Sequence, residues 1–496
     1  MNIILLLQMA ADAGPDRVGL VCDGRRWTYS ALYNAAKGAA ELFVKSGCAH
    51  VALLDESSEA APIALFGAAI AGIPYVPLNY RLADADLGAL LDRVKPAYVI
   101  GDVDRVNRLS EGHTCASRDA FVAAAEAAAE GASDEEREGE GIAAQIFTSG
   151  TTAAPKAALL RHSNLLGYIL GTVEFMAAAE EDAQLVCVPP YHIAGISALL
   201  SSIYAMRRIV MLPAFDPDSW LKLAEEEQVT NAFLVPTMLA RIIARMAETG
   251  NSTLPSVQAI AYGGGRMPPE LIAQALDLFP NCNFTNAYGL TETSSTIALL
   301  TPEDHRTAHQ SDDPKVRARL GSVGKPLPTV ELEIRDDEGN VLPAGERGEI
   351  YVRGEQVSGE YREKSALDAD GWFPTRDAGY LDDEGYLFLA GRADDVIVRG
   401  GENISPGEIE DVLATHPAIA DSVAVGAPSV EWGEAVAIAV VVKPDQPAPS
   451  EDELKIMIKD RLRSSRVPEK IRIVDELPYN EMGKLLRRVV REWFTA

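Results

Sequence analysis

The stretch of this chain best equipped for chemistry runs from Ile146 to Lys156, Ile-Phe-Thr-Ser-Gly-Thr-Thr-Ala-Ala-Pro-Lys. Two apolar residues read as the end of a strand, small and hydroxyl residues follow, and then Pro155 stiffens the backbone and Lys156 supplies a charge. Thr148, Ser149, Thr151 and Thr152 offer hydroxyl donors beside backbone N–H groups, and Gly150 is free to take unusual dihedrals. Many short donors able to wrap a flexible anion are what a polyphosphate needs. The stretch is not a Walker A loop, because no Gly precedes Lys156 and no Ser or Thr follows it. An ordinary polar turn can have the same composition, so the assignment depends on what the rest of the chain supplies.

Thr148 to Lys156 resembles the phosphate loop of the adenylate-forming superfamily, which includes acyl-CoA synthetases, luciferases and the adenylation domains of peptide synthetases. The usual form is Thr-Ser-Gly-Thr-Thr-Gly-x-Pro-Lys-Gly, and Ala153 and Ala157 stand here where the family has Gly. Further motifs follow in the family's order. Tyr288-Gly289-Leu290-Thr291-Glu292 resembles Tyr-Gly-x-Thr-Glu, which implies a Tyr288 ring for the purine, a Thr291 hydroxyl for the α-phosphate and a Glu292 oxygen for Mg²⁺. Gly263-Gly264-Gly265 stands in place of Gly-Gly-Ala, where bare backbone, with Asn286 and Ala287, approaches the adenine and the acyl chain.

Trp372 to Asp377 resembles Trp-Phe-x-Thr-Gly-Asp, implying ribose binding by Asp377. Arg376 replaces the Gly and either helps a phosphate or answers a neighbouring acid. Gly391-Arg392-Ala393-Asp394-Asp395 resembles the family's hinge, with Arg392 on the nucleotide and Asp394 as the pivot. Arg399 to Ile404 has the form common in acyl-CoA ligases, in which Gly400 and Gly401 let a pantetheine arm slide past; the same pair also reads as a hairpin turn. Leu477-Pro478-Tyr479-Asn480-Glu481-Met482-Gly483-Lys484 resembles the terminal Leu-Pro-x-x-x-x-Gly-Lys. Lys484 there binds carboxylate and α-phosphate together. His192, in Pro-Pro-Tyr-His-Ile-Ala-Gly, matches a wall of the acyl pocket, with Phe233, Gly264 and Ala287 as its other sides; a satisfied structural histidine fits the position equally. His162 reads as local packing.

The elements that must position these residues alternate. Strands at Val51–Leu54, Tyr75–Leu78 and Ala97–Ile100 flank a small-residue helix at Ala60–Ala71, and Ser30 can cap a helix reaching Phe43. After the loop, Ser163 can cap another helix. Strands at Gln184–Val188, Thr230–Val235, Val257–Tyr262 and Asn283–Ala287 each lead into a candidate site, as open α/β sheets do at their strand ends. The expected fold is α/β: a large N-terminal domain of doubly wound sheets with a small β-barrel-like part, and a small α+β C-terminal domain. Residues 1–391 form the large ATP- and acid-binding domain, 392–394 the hinge and 395–496 the mobile C-terminal domain.

With 496 residues the chain exceeds one compact core. Lys+Arg 45 against Asp+Glu 73 gives a formal charge of −28, which argues against nucleic acid or an anionic membrane as the main partner. The five cysteines, Cys22, Cys48, Cys115, Cys187 and Cys282, show no Cys-x-x-Cys pair, so neither a disulfide framework nor a zinc site is expected. Ile3 to Leu7 is too short for a membrane span and reads as the buried face of a first helix. A cytoplasmic location follows as the expectation.

The resemblance, from Trp27 to Lys484, implies an ATP-dependent carboxylic acid–CoA ligase that uses Mg²⁺ and passes through acyl-AMP. The expected acid is a hydrophobic or aromatic small molecule, and a homodimer is compatible. One alternative is an adenylating enzyme that hands acyl-AMP to a carrier protein or a separate transferase. Another is a nucleotide-binding homologue without turnover, motivated by Ala153, Ala157 and Arg376.

Overall fold

The computed structural model describes the chain apart from residues 134, 149–154, 251–253, 393–394, 445, 481–484 and 496, and of Asn403 it describes the backbone alone. The described chain divides into two compact units. The first comprises Met1–Gly321, Pro326–Glu331 and Arg353–Phe373, and the second Ser322–Lys325, Leu332–Val352 and Pro374–Ala496.

Within the first unit, one sheet runs in the order Asn283–Leu290, Ala259–Gly263, Asn231–Leu234, Ala183–Val186, Arg208–Met211 and Val18–Cys22, all parallel. Antiparallel neighbours, Ser295–Leu300 and Arg25–Thr28, flank this run. A seven-stranded sheet has the order Glu360–Tyr361, Lys156–Arg161, Ile142–Thr148, Tyr75–Pro77, His50–Leu54, Ala97–Gly101 and Thr114–Ala116. Parallel strands joined by helices are the doubly wound arrangement the alternating sequence implied.

Helices Ile4–Ala13, Tyr29–Ser46 and Ala60–Ala71 lie in the main core between these layers. Every residue of Ala60–Ala71 is buried, which explains its lack of a polar face. Ile4, Leu6, Leu7, Ala10 and Ala11 are buried in the first helix. No helix of the described residues is long and apolar enough to cross a membrane.

Two caps differ from expectation. Thr28, not Ser30, accepts the Ala31 N–H at 3.1 Å, because the chain leaves its strand in extended form one residue before Tyr29 starts the helix. The helix after the loop begins at His162, ahead of Ser163: the Arg161 N–H donates to Asn164 Oδ1 at 3.1 Å and closes the first turn.

In the second unit, the part expected to be barrel-like is a four-stranded sheet in the order Glu331–Arg335, Gly348–Arg353, Phe373–Leu381, Leu387–Arg392. Helix Pro406–Ala414 packs on its strand Leu387–Arg392, and the Ser405 hydroxyl donates to the Ala390 carbonyl. That packing places the sheet in one compact unit with the C-terminal residues. A five-stranded sheet containing Ile419–Ser429, Gly433–Val442 and Lys470–Val474 completes the unit over its own apolar core.

Candidate active site

The phosphate-loop stretch is a hairpin. Strand Ile142–Thr148 pairs antiparallel with Lys156–Arg161, and Thr148 stands opposite Lys156. Ser149, Gly150, Thr151, Thr152 and Ala153 lie outside the described residues, but both ends of the loop are held by the ladder. Ala157 is buried within the second strand, opposite Phe147. Its extended backbone has no need of glycine, so the substitution of the family's Gly is tolerated there.

The next strand of that sheet, Glu360–Tyr361, pairs Tyr361 with Ala158. The Lys156 Nζ lies 5.6 Å from the centre of the Tyr361 ring. The Tyr361 hydroxyl donates to Glu292 Oε1 at 2.6 Å. Glu292 sits in the short turn Thr291–Thr293, immediately after strand Asn283–Leu290, and is buried. Its backbone carbonyl accepts from the Ser358 and Gly359 N–H groups at 2.8 and 3.2 Å. Gln356 Nε2 donates to the Thr293 and Thr296 carbonyls at 3.1 and 2.7 Å. The segment 356–361 therefore grips the Thr291–Glu292 turn by backbone and side chain and joins it to the loop hairpin. Sequence reading missed Tyr361, Ser358 and Gln356, and nothing in their types or spacing marks them.

Gly263, at the end of its strand, lies beside Asn286 and Ala287 within the neighbouring strand, with Tyr262 opposite Asn286 and Gly263 opposite Ala287. A Cβ on Gly263 would lie 2.2 Å from the Ala287 carbonyl oxygen and 3.6 Å from Phe233 Cζ, so this glycine permits a close backbone approach beside the Phe233 ring. Gly264, at φ +76°, and Gly265 are exposed just beyond the strand. Tyr288 lies inside the strand and not past its end; it is buried beside an irregularity in the ladder. His192 is half-buried and precedes helix Ile193–Tyr204, beyond the end of Ala183–Val186, which neighbours the Phe233 strand.

His162 is a packing residue. It is buried, its Nδ1 accepts the Ile3 N–H at 3.4 Å, and burial depresses its pKa to about 4. His305 behaves alike: Nδ1 donates to the Thr301 carbonyl, Nε2 accepts from the Tyr262 hydroxyl, each at 2.8 Å, and burial lowers the pKa to about 4. The described residues hold no group of three or more His, Cys, Asp or Glu able to cage a metal. The single buried carboxylate of Glu292 fits Mg²⁺, a hard cation that keeps substrate phosphates and waters as most of its ligands.

In the second unit, Asp377 and Arg392 stand opposite each other on antiparallel strands, with Nε 2.9 Å from the carboxylate. Arg376 answers an acid: its Nε is 3.8 Å from Glu349 Oε1 while the side chain remains largely exposed. Its φ of +63° shows why glycine suits the position. Gly400 and Gly401, both at positive φ, form the two-residue turn between Ile397–Arg399 and Glu402–Ile404. Asp394 and Lys484 lie outside the described residues.

A family model described as AMP-binding enzyme matches residues 7–362, and one described as AMP-binding enzyme C-terminal domain matches residues 408–484. A fatty acid–[acyl-carrier-protein] ligase, ScoC of Streptomyces coeruleorubidus, is 32% identical over 97% of this chain and 94% of its own length. A 2-succinylbenzoate–CoA ligase of Bacillus cereus (strain Q1) is 31% identical over 98% of each chain. Among solved structures, o-succinylbenzoate CoA synthetase of Bacillus subtilis with the acyl-adenylate OSB-AMP matches with a TM-score of 0.82 at 29% identity, over 98% of this chain and 97% of that one. ATP-bound MatB of Rhodopseudomonas palustris matches with a TM-score of 0.85 at 26% identity, over 100% and 99%.

Proposed function

The chain belongs to the AMP-binding enzyme family, and from that premise we propose that it is an ATP-dependent carboxylic acid–CoA ligase working through acyl-AMP. The observation that carries the site reading is the junction of the loop hairpin, Thr148 opposite Lys156, with the buried Glu292 turn through Tyr361. In the first half-reaction a carboxylate oxygen of the acid attacks the α-phosphorus of ATP. The bond to the bridging oxygen breaks, and pyrophosphate leaves with the electron pair.

Thr148, Ser149, Gly150, Thr151, Thr152 and Lys156 hold the phosphates, and Thr291 hydrogen-bonds the α-phosphate. Tyr288 faces the purine, bordered by Gly263, Gly264, Gly265, Asn286 and Ala287, while Asp377 and Arg392 take the ribose and nucleotide. Glu292 would hold Mg²⁺, which would supply neutralisation of the phosphate charge. Lys484 stabilises the charge that builds between carboxylate and α-phosphate.

In the second half-reaction the domain beyond residues 392–394 turns about Asp394, withdrawing Lys484 and presenting Gly400 and Gly401 to the pantetheine arm. The thiol sulfur attacks the acyl carbon, a thioester forms, the thiol proton is lost and AMP leaves. His192, Phe233, Gly264 and Ala287 line a pocket for a hydrophobic or aromatic acid. A homodimer and a cytoplasmic location complete the reading, to be checked by light scattering and cell fractionation.

The test is pyrophosphate release with MgATP across a panel of acids, with and without CoA, with products identified by mass. Acid-dependent release ending in acyl-CoA supports the proposal. The acyl-carrier-protein ligase among the relatives favours one second reading, transfer to a carrier. Acyl-AMP that accumulates with CoA and is consumed by a phosphopantetheinylated carrier establishes it.

A further inference from the structure

Glu292 is the candidate protein ligand for the nucleotide's magnesium, and a carboxylate offered to that ion must be held in one orientation. Mg²⁺ demands near-octahedral geometry, and a carboxylate free to rotate meets it poorly. Loss of an outer contact that fixes a ligand's orientation typically lowers metal affinity by about 10- to 100-fold.

The Tyr361 hydroxyl donates to Glu292 Oε1 at 2.6 Å, a short charge-assisted bond that occupies one of the two oxygens. Both ends of this bond are themselves fixed. On the carboxylate side, the Ser358 and Gly359 N–H groups hold the Glu292 carbonyl, and Gln356 holds the turn through the Thr293 and Thr296 carbonyls. On the phenol side, the ladder pairs Tyr361 with Ala158, two residues from Lys156, and Glu360 locks the strand by a bidentate pair with Arg161 at 2.8 Å. The ring of Tyr361 also lies near the Lys156 ammonium.

We propose that Tyr361 is a positioning residue, which holds Glu292 by Oε1 and leaves Oε2 to the magnesium ion carried by ATP. The proposal rests on the reading of Glu292 as metal ligand. It makes the strand after Gln356 part of the adenylation machinery, with the phenol ring serving the phosphate-loop lysine and its hydroxyl serving the metal.

Tyr361→Phe keeps the ring beside Lys156 and deletes only the hydroxyl. Binding of Mn²⁺ in the presence of a non-hydrolysable ATP analogue, followed by electron paramagnetic resonance, reads the metal without turnover. We expect binding to weaken on the order of 10-fold. The Mg²⁺ concentration for half-maximal pyrophosphate release should rise by the same factor, with saturating metal restoring most of the rate. Metal-free nucleotide affinity and melting temperature should change little. In a Glu292→Gln background, Tyr361→Phe should have no further effect. Unchanged Mn²⁺ affinity in Tyr361→Phe, with Glu292→Gln impaired, overturns the positioning role alone. Unchanged affinity in Glu292→Gln overturns the reading of Glu292, and the proposal with it. A Tyr361→Phe loss of equal size in the Glu292→Gln background assigns the hydroxyl to another partner and also refutes the proposal.

Discussion

Adding a single methyl at Gly263 tests whether the strand ends form the nucleotide face. Gly263 pairs in register with Ala287, and an ideal Cβ placed on it would lie 2.2 Å from the Ala287 carbonyl oxygen, where real Cβ atoms essentially never come within 3.0 Å. That oxygen belongs to the backbone, so no rotamer change relieves the overlap. Strands Ala259–Gly263 and Asn283–Leu290 must part by roughly 0.8 Å where Gly263 meets Ala287. Overpacking of this kind costs about 1–3 kcal/mol of stability. The same displacement moves Asn286, Ala287 and Tyr288, and a misplacement of about 1 Å at a reacting geometry lowers rates on the order of 100-fold.

Gly263→Ala is therefore expected to lose about two orders of magnitude in kcat/KM for ATP, measured by pyrophosphate release, together with a lower melting temperature. Gly264→Ala supplies the contrast. Its φ of +76° strains any side chain, by about 1–2 kcal/mol, but the nearest atom is Val235 Cγ1 at 3.5 Å and no strands need separate. Its main effect should be on stability, with a smaller kinetic loss. A Gly263→Ala enzyme within threefold of native kcat/KM, or a Gly264→Ala enzyme more impaired than Gly263→Ala, would refute the reasoning.

Arg376→Gly relieves a left-handed residue, offset by the freer unfolded chain and the loss of a mostly exposed pair with Glu349, and should leave the protein about 0.5 kcal/mol more stable in urea. A loss above about 1 kcal/mol would mean that Arg376 contributes a contact beyond that pair. Lys484→Ala should cut acid-dependent pyrophosphate release on the order of 100- to 1,000-fold while thioester formation from supplied acyl-AMP persists; an enzyme indistinguishable from native sinks the assignment. The buried His162 and His305 titrate near 4 when folded against an ordinary value of 6.5. The unfolded chain thus binds more protons between those limits, so their stabilisation is complete above pH 6.5 and is lost as pH falls toward 4. Urea midpoints should drop between pH 7 and pH 5, by on the order of 2 kcal/mol of stability for each histidine, and a flat profile would contradict this.

Much of the fold was legible because its signals are local. The all-apolar Ala60–Ala71 and the strand runs at His50–Leu54 and Ala97–Gly101 each follow from the local pattern of apolar side chains. Caps were less legible, since Thr28 and Ser30 are equally able acceptors and the point where the strand ends chose between them. The four-stranded sheet read as barrel-like for a related reason: short strands between turns specify hairpins, while closure depends on which edges meet.

By itself the sequence determined the chemistry the chain can perform. The hydroxyl-rich loop ending at Lys156, the Thr291–Glu292 pair, Asp377 and Lys484 are residue types at fixed spacings, and motif order needs no coordinates. Tertiary structure alone decided which of them meet. Glu292 is joined to the loop hairpin by Tyr361, 69 residues further along the chain, and Arg392 stands against Asp377 because an antiparallel register puts it there. Gly263 has no room for a side chain because the backbone of the neighbouring strand fills the space it would need. Such contacts arise from the pairing of distant strands, and pairing follows from burying both faces of each sheet together, a condition on the whole chain that no short stretch carries.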